Sequence, residues 1–321
     1  MSTTHPETPS RVELEALLAR GPVGKRTPAP IGPARHLAAE RDRLLALTWE
    51  HFDATLQAST IGAEISGIDL EQAVSDPEAI AEIRAALLDY KVIFFRNQHL
   101  TEEQHVAFAA AFGELEQHPF LNNSDSNPHL VRFEKTEEIG GYENAWHSDV
   151  TWREVPSMGS ILRAIEVPAV GGDTLFCDMY AAWDGLEEPV RARVEEMSAE
   201  HDALRAFGAG LSIEEAAAKR VEFPVQVHPI GRTHPETNRK LLYVNRVFTE
   251  RILGLDEEES ESLLQFLCNQ ADMPEYQCRF RWTAGAIAFW DNRAVQHYAS
   301  SDYWPQRRVM ERATVVGTRP Y

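Results

Sequence analysis

The strongest constraint on this chain is a run of short apolar segments, cut apart by glycine and proline, that fills the sequence after Gly113. Residues 130–133, 145–152, 160–167, 173–178, 224–229, 240–247, 278–282, 286–290 and 308–316 read as strands. Helical periodicity is confined to inserts at 180–197, 213–220 and 257–270. Many short strands with helical inserts predict a mainly β protein closed on itself, such as a jelly roll. Ahead of Gly113, residues 61–65 read as a strand, 76–90 as a helix, and 91–96 (KVIFFR) as a buried strand. Thr101 opens a further helix, with Gln104 as its capping-box partner and Gly113 as its stop. The first fifty residues differ. Helical patterns at 12–20 and 35–50 flank a Pro/Gly-rich stretch at 21–33, so 1–50 reads as an N-terminal extension and linker, and 51–321 as the main domain.

Charge and cysteines narrow the function classes. A net charge of −19 and a pI near 5.1 argue against a nucleic-acid binder, which needs a basic face. The apolar runs are too short to span a membrane. The N-terminus shows no secretory h-region. Cys177, Cys268 and Cys278 form no CxxC pair, which suits a reducing, cytoplasmic setting.

The sharpest local motif is WHSDVTW at 146–152. On a strand, residues two apart share a face, so His147 and Asp149 would present an imidazole and a carboxylate together. That is two-thirds of the 2-His-1-carboxylate arrangement of non-haem Fe(II) oxygenases. Alone it is weak, and an ordinary surface or capping pair reads equally well. His297, in FWDNRAVQHYA, is the candidate third ligand; its plain reading is a hydrogen-bonded histidine at a strand end. In QRRVMERATVVG, a strand from 308 would put Arg308, Met310 and Arg312 on one face. Turned inward, two arginines require anions, and Arg is a natural bidentate carboxylate or sulfonate clamp. Turned outward, the same face would be solvated. Thr174, in VGGDTLF, follows a Gly-Gly turn and could aim a hydroxyl at a carboxylate.

Together these segments resemble the taurine dioxygenase (TauD/TfdA) family of Fe(II)/2-oxoglutarate-dependent dioxygenases. The similar text is TIGAEISGIDL, FGELEQHPF, WHSDVTW, GGDTLF and FWDNRAVQHYASSDYWPQRRVMERATVVG, in that order. The resemblance implies a double-stranded β-helix core of the jelly-roll, cupin-like kind. It implies that His147, Asp149 and His297 bind Fe(II), with O2 and 2-oxoglutarate as co-substrates and succinate and CO2 as products. It further implies that Arg308 and Thr174 hold the far carboxylate of 2-oxoglutarate. Arg312 would bind the anionic end of the substrate or the C1 carboxylate of the co-substrate. His118, Arg312 and the Val150 N–H would form the substrate's anion pocket. Asp149 favours hydroxylation, because halogenating relatives lack that carboxylate.

Two positions depart from the taurine pattern. Leu121 stands where the family has a tyrosine, and Glu143 near where it has an amide. A glutamate could still pair with an ammonium, but the apolar Leu121 points from strict taurine specificity towards a longer or less polar sulfonate or alkyl sulfate. A carboxylated metabolite such as an aryloxyalkanoate or amino-acid derivative, a non-catalytic anion-binding barrel and a zinc hydrolase are the alternatives. The Arg308/Thr174 pair favours iron over zinc, which needs no oxo-acid clamp. Trp146, Trp152 and Trp290 border the ligand segments and read as wall or packing. The expected partner is a small anionic substrate, and the expected assembly a homo-oligomer, dimer or tetramer.

Overall fold

The computed structural model describes residues 32–121, 127–141 and 143–321. The predicted helix at 12–20 and the Pro/Gly-rich stretch as far as residue 31 lie outside the described residues. In chain order the strands are β1 (Asp53–Leu56), β2 (Ala63–Ser66), β3 (Val92–Phe95), β4 (Leu130–Lys135), β5 (Gly159–Glu166), β6 (Thr174–Asp178), β7 (Ser198–His201), β8 (Gln226–Pro229), β9 (Gly231–Thr233), β10 (Lys240–Leu242), β11 (Thr249–Ile252), β12 (Gln277–Phe280), β13 (Ile287–Asp291), β14 (Val295–Ala299) and β15 (Arg308–Val315). A large sheet runs β1-β2-β3-β13-β5-β15-β4, and a small sheet β12-β6-β14 packs against it. This is the mainly β, cupin-like core expected.

Strand periodicity sorts the apolar side chains of the large sheet onto its two faces. Val92, Phe94, Ala288, Trp290 and Met310 face the small sheet, where they meet Phe176, Phe280 and Val295. Phe94 stacks on Phe280 with ring centroids 4.1 Å apart. Ile93, Phe95, Ile287, Phe289, Ala313 and Val315 face the other way, onto the helices Pro77–Tyr90 and Glu102–Ala110. Those helices start where their caps put them. Asp76 accepts from the N–H groups of Glu78 and Ala79, with Pro77 behind it. Thr101 and Gln104 close a reciprocal capping box.

Several elements differ from the sequence reading, each for a local reason. Residues 145–152 do not form a strand. A single antiparallel bridge joins His147 to His297, and Val150 then takes a left-handed conformation with φ of 49°, which ends any extended run. The helix expected at 180–197 is two, Met179–Asp184 and Glu188–Val194, broken after Gly185 with Pro189 in the first turn of the second. The pattern at 35–50 is a 3-10 turn, Arg35–Leu37, and a helix, Ala38–Leu45. This segment is docked on the body. Leu37 and Leu44 are buried, and Glu40 pairs with the fully buried Lys91 at 2.7 Å and with Arg239 at 3.0 Å.

Every residue of β15 is buried. The outward, solvated option for its arginines therefore does not arise. Glu311, on its opposite face, is held by Arg163 and by Arg132, the latter at 2.7 Å. Among the described residues no helix is long and apolar enough to cross a membrane. The three cysteines are buried and free.

Candidate active site

The bridge between residues 147 and 297 is what joins two distant stretches of sequence. His147 and His297 exchange backbone hydrogen bonds of 3.1 and 2.8 Å, and their rings lie 4.2 Å apart. Asp149 follows in the turn. Asn292 fixes that turn: its Oδ1 accepts from the Asp149 N–H at 2.7 Å, and its Nδ2 donates to the Asp149 carbonyl at 2.9 Å. One ligand atom from each of His147, Asp149 and His297 falls within 4.8 Å of the others.

The donor set fits a divalent metal in detail. His147 Nδ1 donates to the Ala145 carbonyl at 2.7 Å, which leaves the Nε2 lone pair facing inward. Asp149 divides its two oxygens. Oδ2 accepts from Arg312 Nη1 at 2.9 Å and from Ser160 Oγ at 3.3 Å. Oδ1 lies 3.8 Å from His147 Nε2 and 3.9 Å from His297 Nε2, too far for hydrogen bonds. Burial alone would raise the Asp149 pKa, but Arg312 and the neighbouring imidazoles hold it well below the usual carboxylate range. Burial, reinforced by His147, pushes His297 down to about 3, so it stays a neutral ligand. Two imidazoles and one carboxylate on one face match the facial set of non-haem iron.

Beside this trio lies a cavity of about 70 Å3 lined by Thr174, Leu162, Trp290, Arg308, Met310 and Lys135, among others. Arg308 is buried, yet its Nε and Nη2 have no hydrogen-bond partner. Leaving buried guanidinium nitrogens without partners is costly, and these two can take a ligand carboxylate. Thr174 Oγ1 accepts from Trp282 Nε1 at 2.9 Å, which leaves its own O–H free to donate into the cavity. Thr174 and Arg308 thus line one cavity. The donors suit the distal carboxylate of a dicarboxylic acid.

A second cavity, of about 470 Å3, borders His147 and Asp149 of the trio. Its polar end holds His118, Asp149, Val150 and Arg312; its walls include Phe120, Leu121, Phe207, Val247 and Phe248. His118 Nδ1 accepts from the N–H groups of Phe120 and Leu121, so Nε2 carries the hydrogen. Burial, with Arg312 close by, pushes its pKa down to about 3. It is a neutral donor. The sequence reading gave Arg312 to bound anions alone; here it also grips the outer oxygen of Asp149. Sequence reasoning missed Asn292, Ser160 and the aromatic wall. Asn292 had a signal, sitting beside Asp291 just upstream of His297. Phe207 and Phe248 had none, because they come from inserts far from any motif. Of the three tryptophans, Trp290 lines the smaller cavity, while Trp146 and Trp152 pack in cores.

The model of the taurine catabolism dioxygenase TauD, TfdA family matches residues 52–314. The chain belongs to the TauD/TfdA family. It is an Fe(II)/2-oxoglutarate-dependent dioxygenase. An alpha-ketoglutarate-dependent sulfate ester dioxygenase of Pseudomonas putida is 37% identical, over 82% of this chain and 89% of its own length. An alkylsulfatase of Acinetobacter baylyi is 34% identical, over 80% and 82%. A solved taurine dioxygenase from Burkholderia xenovorans superposes with a TM-score of 0.73 at 38% identity, over 84% of this chain and 93% of the other. TauD/TfdA relatives thus include enzymes named for sulfate esters and for sulfonates.

Proposed function

We propose that this dioxygenase hydroxylates an organic sulfate or sulfonate carrying an apolar chain, at the carbon next to the anionic group. One observation carries the reading: a single cavity joins an anion-binding end beside the metal trio to walls of phenylalanine, leucine and valine. Such walls reward apolar length and offer a hydrophilic tail little. The names of the Pseudomonas and Acinetobacter relatives support the same substrate class.

In this reading His147, Asp149 and His297 hold Fe(II), which with O2 and 2-oxoglutarate supplies the oxidising power that turns a C–H bond into C–OH. Arg308 and the Thr174 hydroxyl fix the far carboxylate of 2-oxoglutarate. Arg312, the His118 Nε2–H and the Val150 N–H hold the substrate anion. The left-handed Val150 holds backbone strain in the turn that carries Asp149, a position where strain serves orientation. Phe120 and Phe207, stacked 4.6 Å apart, keep water from the chain end. Hydroxylation of the carbon bearing an ester oxygen gives a product that collapses to an aldehyde and sulfate. The dioxygenase domain spans 51–321, with 1–50 as its extension. It works in the cytoplasm, where three buried thiols stay reduced, as a homo-oligomer.

The test is succinate formation with Fe(II), 2-oxoglutarate and O2 against butyl, hexyl and octyl sulfate, hexanesulfonate, taurine and phenoxyacetate. Each added methylene is worth about 0.8 kcal/mol, or about fourfold in kcat/KM, until the cavity is filled. Taurine should lag behind every alkyl sulfate. A preference for phenoxyacetate would replace this reading by the carboxylate one, and no turnover with any compound would end it.

A further inference from the structure

The two cavities share Phe133, Glu143, His147 and Arg312 as lining residues. Glu143 is therefore a carboxylate at their junction, beside the reacting end of the substrate rather than its tail. Its partner is Lys135, whose Nζ lies 2.6 Å from Glu143 Oε1 and whose side chain is only 8% exposed. Lys135 stands directly opposite Arg308 in the β4–β15 register, so two cations sit side by side on one face. Like charges so placed repel unless an anion intervenes. Glu143 is that anion: it pairs directly with Lys135 and lends its charge to Arg308, which still keeps two guanidinium nitrogens without partners.

We propose that the Lys135–Glu143 ion pair sets the charge that both cavities present, and is the specificity element that excludes a short ammonium-bearing substrate. The inference rests on the sulfate or sulfonate reading for its substrate arm alone. The substrate cavity has two acidic lining residues, and each is matched by a cation: Asp149 by Arg312 at 2.9 Å and Glu143 by Lys135. An ammonium two carbons from the anionic group would reach the junction and find no unspent negative charge. It would pay its desolvation without return. A methyl group in the same place loses nothing. In the co-substrate cavity the pair has a second effect. Neutralised by Lys135, Glu143 does not repel the dianionic 2-oxoglutarate.

Removing Lys135 should release both effects together. The test measures two binding constants anaerobically on the Fe(II)-loaded protein, by calorimetry and by competition, for wild type, Lys135→Met, Lys135→Gln and Lys135→Met/Glu143→Gln. The first is that of 2-oxoglutarate. The second is the ratio for propyl sulfate against 2-aminoethyl sulfate, isosteres that differ only by methyl for ammonium, each competing with hexyl sulfate. Either Lys135 variant should weaken 2-oxoglutarate at least tenfold and shift the ratio at least tenfold towards the amine. The double variant should return both to near the wild-type values, which a merely structural role would not do. Lys135→Gln keeps the polar side chain and serves if Lys135→Met does not fold. Unchanged 2-oxoglutarate affinity in a folded Lys135 variant overturns the proposal, even if no sulfate ester binds. Failure of wild type to bind any sulfate ester, with the 2-oxoglutarate effect present, overturns the substrate reading and leaves the pair standing.

Discussion

Replacing Asp149 by alanine is expected to abolish Fe(II)-dependent succinate formation and to destabilise the metal-free protein by about 3–5 kcal/mol. The first effect follows from losing the one anionic donor of the trio. The second follows from its other oxygen. Asp149 Oδ2 is the carboxylate partner of the buried Arg312, and without it a guanidinium is left uncompensated. From the sequence alone the same substitution would spare the fold, since a metal ligand needs no structural partner; the 2.9 Å contact removes that expectation. Asp149→Asn separates the two roles, because an amide oxygen can still accept from Arg312. Chemical denaturation and succinate assays on both variants are the measurement. An alanine variant as stable as wild type would show that the Arg312 contact carries no energy. Retained turnover would show that Asp149 is not a ligand.

Arg308→Met should do the reverse to stability. The methionine keeps the stem that packs near Tyr303, whose ring lies 5.7 Å from the guanidinium carbon. It removes a buried charge whose Nε and Nη2 have no partner. The metal-free protein should therefore be no less stable, and its thermal midpoint should stay level or rise. Affinity for 2-oxoglutarate should fall by about 2–5 kcal/mol, more than thirtyfold, because a desolvated charge-assisted pair is lost. Calorimetric binding and thermal unfolding of the same variant check both signs. A variant that loses stability but keeps 2-oxoglutarate affinity would make Arg308 a structural residue.

Much of this was legible in the sequence, and the exceptions have physical causes. Residues 92–95 and 287–291 were readable as strands because both faces are buried, which demands continuous apolar text. β14 was not, although it carries His297. Its VQHYA text alternates weakly, since Gln296 is buried against the Val244 carbonyl at 2.7 Å instead of facing solvent. The His147/Asp149 juxtaposition was inferred from a strand that does not exist. The turn at Val150, clamped by Asn292, brings the same two side chains together by another route. The Arg308/Thr174 pairing followed from resemblance, and the two guanidinium nitrogens of Arg308 without a partner give it an independent basis. The substrate wall was invisible because Phe120, Phe207, Val247 and Phe248 meet only through tertiary packing of separate segments.

Every role assigned above depends on one ferrous ion gripped by two imidazoles and a carboxylate brought together across the β14 bridge. Diffraction from crystals grown anaerobically with Fe(II) and 2-oxoglutarate, collected at the iron absorption edge, tests it most directly. One anomalous peak per chain is expected within coordination distance of His147 Nε2, Asp149 Oδ1 and His297 Nε2, with the co-substrate's far carboxylate on Arg308. A peak elsewhere, or none at this trio in iron-replete crystals, would contradict it.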